Sequence, residues 1–265
     1  MKSKEITVAI AVVAFAIVGG VIPLSAQEIP DAVQLIEDSR DHYHADTVST
    51  RSRMQILSRS GSTTERLVDQ YSAEIDGLRN TVVIFQSPAS VAGTRFLSIQ
   101  RPGGVEDRWI FLPELGRVRR IAANDGSGSF VGTDMSYDDV AAMNRSVDAD
   151  THTILRAEEL NGKMCWLVES VPLDSSYQYS RSLTWIEQDT KLGRRMELYD
   201  RDGTLVKVME VMRAEERQGR LTPLQSRMTT VGADTSTTVT VEIVRYDEPI
   251  PPSVFTTRFL ETGRP

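Results

Sequence analysis

The stretch Tyr71-Ser72-Ala73-Glu74-Ile75-Asp76 changes character at every residue. Tyr71, Ala73 and Ile75 fall on one side of an extended chain and Ser72, Glu74 and Asp76 on the other, because successive strand side chains point to opposite faces. Val239, Val241 and Ile243 alternate with Thr238, Thr240 and Glu242 in the same way. Both stretches read as half-buried antiparallel strands. Further strands are expected at 52–58, 81–86, 95–100, 108–112, 118–122, 165–171, 183–187, 194–199, 204–212 and 224–230. Turn signals separate several of them: Pro102-Gly103-Gly104, Asn161-Gly162, Asp200-Arg201-Asp202-Gly203 and Gln218-Gly219. About a dozen strands at hairpin-like spacing, with few helices, predict one large antiparallel sheet that curls or closes.

Two strands carry more than an alternation. Thr81-Val82-Val83-Ile84-Phe85 and Trp109-Ile110-Phe111-Leu112 are apolar on both faces. One side of such a strand meets packed chain, and the other faces an interior that either is plugged by the protein itself or holds an apolar guest. Pro30 to Tyr43 predicts a helix with Pro30 at its first position and Val33, Ile36, Arg40 and Tyr43 along one side, Ala32 and Leu35 beside them. Pro249, Pro251 and Pro252 argue against a helix near the C-terminus, so Val254 to Leu260 is expected to be a short strand or turn.

The N-terminus predicts export. Lys2 and Lys4 precede an apolar run from Ile6 to Val18, and Gly19-Gly20, Pro23 and Leu24-Ser25-Ala26 follow, the order of a secretory signal peptide cut after Ala26. An uncleaved anchor is the rival reading, since Ile6 to Leu24 is long enough to span a bilayer. Residues 27–265 then form a single domain. The formal net charge of −7 disfavours nucleic acid and anionic membrane surfaces as partners. The single Cys165 leaves no internal disulfide and sits in an apolar run where a buried, inert thiol is expected.

Residues 128–140, Gly128-Ser129-Phe130-Val131-Gly132-Thr133-Asp134-Met135-Ser136-Tyr137-Asp138-Asp139-Val140, have the look of a functional loop. A phosphate loop would end in Gly-Lys-Ser/Thr, and three carboxylates here would repel phosphate. A calcium loop would need a closing Glu and a central glycine. Capping of a helix over 139–143 by Ser136 or Asp138 fits the carboxylates better. His42, His44 and His152 make no zinc pair, and nothing resembles a nucleophile elbow. No catalytic, metal or cofactor site emerges. Phe130, Val131, Met135 and Tyr137 suggest instead a loop folded onto a greasy surface.

Taken in order, several segments resemble the outer-membrane lipoprotein-sorting (LolA-like) family, in the branch associated with resistance–nodulation–division type transporters. They are Ser87-Pro88 with 91–97, Asp107 to Ile121, Gly128 to Asp139, Leu198-Tyr199-Asp200 with Leu205-Val206-Lys207, and Phe255 to Leu260. Val131 stands where Met is usual in the family, and Thr133 and Met135 where Ser and Phe are common. The resemblance implies a mainly β fold, a half-open antiparallel β-barrel of about eleven strands with helices and loops as a lid over a hydrophobic cavity. It implies a periplasmic, non-enzymatic carrier of lipid or lipoprotein acyl chains, without a cofactor, that exchanges cargo with an inner-membrane transporter. A non-carrying adaptor or envelope-stress sensor with a plugged barrel is the alternative, and a lipid hydrolase ranks third for want of a nucleophile.

Exposing an acyl chain to water costs roughly 0.8 kcal/mol per CH₂, so a chain of about sixteen carbons needs shelter on the order of 10 kcal/mol. On this reading the walls are Met54, Ile56, Tyr71, Ile75, Phe85, Leu97, Trp109 and Phe111, continued by Trp166, Trp185 and Met209. Phe130, Val131, Met135 and Tyr137 lie above. Arg117, Arg119 and Arg120 are candidates to pair with Asp134 or Asp138, or to meet a headgroup or partner.

Overall fold

The computed structural model describes residues 29–43, 45–102, 106–122, 125–142 and 145–265. The leader, His44, the Gly103-Gly104 turn and Met143 lie outside them. Thirteen strands form one antiparallel sheet: β1 Thr47–Leu57, β2 Thr63–Ile75, β3 Leu78–Ser87, β4 Arg95–Gln100, β5 Glu106–Leu112, β6 Arg117–Ile121, β7 Asp150–Leu160, β8 Lys163–Pro172, β9 Arg181–Glu187, β10 Gly193–Tyr199, β11 Leu205–Arg217, β12 Arg220–Thr230 and β13 Thr235–Tyr246. Their spatial order is β6-β5-β4-β3-β2-β1-β13-β12-β11-β10-β9-β8-β7. Neighbours are mostly sequential, so tight hairpins suffice; Asn161-Gly162 and Gln218-Gly219 both take the left-handed pair of φ angles that a two-residue hairpin turn requires.

The sheet does not close. β6 and β7 are its two edges, and residues 122–149 run between them. Within that connection lies α2, Tyr137–Ala142. Its adjacent residues Asp138 and Asp139 contact Arg108 on β5 and Lys207 on β11. Those strands are seven spacings apart, about 33 Å in a flat sheet. Two neighbouring residues cannot reach groups that far apart. The sheet is therefore curled around α2, and the face carrying Arg108 and Lys207 is concave.

Register assigns the side chains to faces, since directly opposed residues in an antiparallel pair share one. Met54, Val68, Phe85, Phe96 and Ile110 follow one another across β1 to β5 on the concave face or lie one step along it. Ile154, Val168, Thr184, Met196, Met209 and Met228 form the matching row across β7 to β12. Helix α1, Ala32–Arg40, packs Leu35 and Ile36 against Trp166, Val168 and Ile186 on this row's side. Asp31 caps it by accepting from the Gln34 N–H at 2.9 Å. Pro30 therefore precedes the cap and is not the first helical residue, while Val33 is solvent-exposed and the buried side is Leu35, Ile36 and Ser39.

The C-terminus departs furthest from expectation. Residues 252–254 form one 3-10 turn and Thr257–Thr262 a short helix, α3. The prolines end at 252, and Thr256 then caps the helix by accepting from the Phe259 N–H, with Gly263 closing it in the left-handed conformation. Val254, Phe255, Phe259 and Leu260 bury themselves on the convex face of β2 to β6 against Ala73, Val82 and Leu97. Arg95 ties this segment down through the Leu260 carbonyl at 2.6 Å. Strands β3 and β5 are thus apolar on both sides because two segments of the same chain sandwich them.

Candidate ligand site on the covered concave face

Residues 125–142 cover the concave face. Phe130, 1 % exposed, inserts between Phe85, Phe96 and Tyr137 with ring centroids 5.7, 5.2 and 5.6 Å away. Its loop closes on itself: the Phe130 N–H donates to the Met135 carbonyl at 2.7 Å, and the Thr133 hydroxyl to the Phe130 carbonyl at 2.8 Å. At the tip, Val131 and Gly132 both have positive φ, 51° and 75°. For a β-branched residue that conformation is strained, at a cost of order 1–3 kcal/mol. Arg66 of β2 donates to the Val131 carbonyl and spans the tip.

Three carboxylates of the segment, those of Asp134, Asp138 and Asp139, reach three different parts of the sheet. Asp134 is held by the hydroxyls of Thr230, Thr235 and Thr237, two of them at 2.7 Å, and its N–H donates back to the Thr237 hydroxyl at 3.0 Å. Asp138 pairs with Arg108. Asp139 accepts from Lys207, from the Tyr179 hydroxyl at 2.7 Å and from the Ser136 N–H at 2.7 Å, while the Ser136 hydroxyl accepts from the Asp139 N–H at 3.0 Å. That reciprocal pair is a capping box, so Ser136 starts the helix as expected. The divergence of the carboxylates leaves no common centre for calcium. Among the described residues no group of three or more His, Cys, Asp or Glu could hold a metal ion.

Arg108 also meets Glu106, whose second carboxylate oxygen is buried without a partner. Burial pushes the Glu106 carboxyl above its ordinary value of 4.5, against the opposing pull of Arg108 and Ser98. The folded state therefore holds this proton more tightly than the unfolded chain, and its contribution to stability falls as pH rises above about 4.5. In denaturant titrations between acidic and neutral pH, Glu106→Gln is expected to gain stability relative to wild type as pH rises. A difference independent of pH would refute this assignment. Burial, then the neighbouring Asp139, raises the Tyr179 hydroxyl, which stays protonated and donating.

The β10–β12 side is lined differently. Met135, Met196, Met209 and Met228 gather with Tyr177, Tyr179 and Leu198, and three of the methionines are only half-buried. Unbranched thioethers adapt to guests of varied shape.

Of the wall residues expected from sequence, Met54, Ile56, Phe85, Trp166 and Met209 face the concave side, with Phe130, Val131, Met135 and Tyr137 above them. Tyr71, Ile75, Leu97, Trp109 and Phe111 do not; they lie on the convex face under the C-terminal segment. Trp185 is convex too, opposite Leu167, with its ring N–H donated to Glu158 at 2.6 Å. Alternation divides a strand into two faces but does not say which is inside, and a buried C-terminal helix had no place in the sequence reading. Of the three basic residues on β6, Arg120 pairs with Asp107, Arg119 lies near Tyr137, and Arg117 is exposed. Asp134 and Asp138 take the threonines and Arg108 instead. Arg66, Arg108, Lys207 and Tyr179 were not anticipated. Their signal was faint: charges and threonines at inward positions of otherwise apolar alternations, most visibly in Thr235-Ser236-Thr237.

His42 lies between the carbonyls of Leu221 and Thr190, and His152 between the Ser170 hydroxyl and the Val147 carbonyl. Both tie segments together. Cys165 is fully buried and free, its thiol pushed up by burial.

An open, curled antiparallel sheet, its hollow covered by the connection between its own edges, is a LolA-like half-barrel. Residues 77–262 match the model of a protein family described as "Uncharacterized protein", and the chain belongs to that family. A DUF1329 family protein from Desulfovibrio piger has a similar structure at 27 % identity, with TM-score 0.81 over 86 % of this chain and 97 % of that one. A domain from Vibrio parahaemolyticus assigned to outer membrane lipoprotein sorting is similar at 23 % identity and TM-score 0.80, covering 87 % and 98 %. A LolA superfamily protein from Nitrosomonas europaea follows at 18 % and 0.72, covering 87 % and 100 %. None of the curated proteins matches the sequence.

Proposed function

We propose that the protein is an exported periplasmic carrier, cut after Ala26 and folded as one domain over 27–265. In this reading it acts by binding, without catalysis. It shelters an acyl chain of a lipid or lipoprotein on its concave face and exchanges it with an inner-membrane transporter, of the resistance–nodulation–division type. One observation carries the reading: the concave apolar wall is covered by a segment whose polar anchors to the sheet are ion pairs, threonine hydroxyls and one arginine–carbonyl bond. Such anchors rehydrate when the segment lifts, whereas apolar packing against the wall can be replaced by an acyl chain at little net cost. The structural relative assigned to lipoprotein sorting supports the same direction. In the closed form the Phe130 side chain fills part of the space that cargo would take.

The test is mass spectrometry of lipids extracted from protein isolated without detergent, together with uptake of a fluorescent polyene fatty acid. Acylated species at near-equimolar occupancy are expected. Protein that is always empty and takes up no probe would overturn the reading. The burial of Phe130 among Phe85 and Phe96 favours one second reading, a permanently plugged adaptor or sensor. That alternative predicts recovery of a membrane protein by pull-down with lipid occupancy near zero.

A further inference from the structure

Three cations from the strands grip the covering segment, and one differs from the others. Arg108 and Lys207 each meet a carboxylate of the segment. Arg66 meets only the Val131 carbonyl. Its Nε is buried without any hydrogen-bond partner, and no ion pair involves it among the described residues. Its guanidinium stands over the Phe85 ring at 5.7 Å and lies 3.5 Å from where a Cβ on Gly132 would be, on the concave face opposite Met54. Burial with nothing to offset it lowers the pKa of this group from its ordinary value. A guanidinium has five N–H donors in a planar fork suited to carboxylate or phosphate oxygens. Here a single neutral acceptor engages it in the closed form, and that acceptor sits on a strained Val131 that leaves when the cover lifts.

We infer that Arg66 is the recognition site for the anionic headgroup of the cargo, a carboxylate or phosphate whose acyl chain lies along the concave wall. This deepens the carrier reading and rests on it. Lifting the cover removes the Val131 carbonyl and frees a cation beside an apolar wall. An anionic amphiphile supplies the missing charge and the apolar tail together, so it stabilises the open form more than a neutral lipid of the same length does.

The experiment compares binding of cis-parinaric acid with that of its methyl ester to the full mature chain at neutral pH, in wild type, Arg66→Gln and Arg66→Lys. Wild type is expected to bind the acid at least tenfold more tightly than the ester. Arg66→Gln is expected to remove that preference, so that acid and ester bind with affinities within about threefold of each other, and Arg66→Lys to restore part of it. Displacement by palmitate or by lysophosphatidic acid distinguishes a carboxylate from a phosphate source, and either supports the inference. Equal binding of acid and ester by wild type would overturn it while leaving the carrier reading standing. A preference that survives in Arg66→Gln, or failure of both anions to displace the probe, would also overturn it. Binding of neither probe would remove both this inference and the reading beneath it.

Discussion

Phe130→Ala is expected to lower the free energy of unfolding and to raise acyl-probe binding in the same protein. The ring is 1 % exposed and closes an aromatic cluster with Phe85, Phe96 and Tyr137. Truncating a buried Phe costs about 3–5 kcal/mol, part of it for the cavity left behind. In a carrier that cavity lies where the cargo goes, so the variant should take up more of a polyene fatty acid than wild type. Phe259→Ala is the control. Phe259 is equally a core residue, 6 % exposed, but it packs on the convex face with Val82 and Leu97. Its loss should destabilise by a comparable amount and leave probe binding unchanged. Urea titration and fluorescence titration of both variants decide the matter. If Phe130→Ala weakens the fold without any gain in binding, the concave cluster is ordinary core and the cover is a plug.

The contrast between these two phenylalanines shows where the sequence was legible. Alternation in Tyr71 to Ile75 and in Val239 to Ile243 announced half-buried strands, and Asn161-Gly162 and Gln218-Gly219 placed hairpins where they occur. All but one of the thirteen strands could be read this way. The exception, β7, is an edge strand paired on one side only, and most of its residues are exposed, so little apolar pressure shaped its pattern. Two-faced burial of 81–85 and 109–112 was also legible, but not its cause. The sequence left one face to packed chain and the other to a plug or an apolar guest; the chain supplies residues 250–262 to the convex side and 125–142 to the concave side. The C-terminal helix carried its own signals, Thr256 as cap and Gly263 as stop, which the three upstream prolines overshadowed. The covering segment was recognised as an apolar loop with a Ser136 cap. Its partners were not, because Arg66, Arg108 and Lys207 come together only through strand pairings far apart in sequence.

Those long-range partners make Asp139→Ala the sharpest test of how the cover is held. The Asp139 carboxylate serves Lys207, Tyr179 and the start of α2 at once, and both members of the ion pair are largely buried, with side chains 5 % and 15 % exposed. Removing one partner of such a pair leaves an uncompensated cation under the cover, which costs about 3–5 kcal/mol. Where that cost appears separates a lid from a plug. If 125–142 lifts as a unit, Lys207 regains water on opening, and the open population rises by about a hundredfold or more. Hydrogen exchange at Asp134, whose amide bonds to Thr237 on β13, would accelerate by that factor, while amides in β3 and β4 keep their protection. If the segment cannot lift separately, the cost falls on the whole fold, and Tm drops by roughly 6–20 °C for a domain of this size with exchange rising everywhere. Adding Lys207→Met to Asp139→Ala removes the stranded charge and is expected to recover most of the loss. We expect the local outcome, because a carrier can release its cargo only if its cover opens more readily than its sheet unfolds.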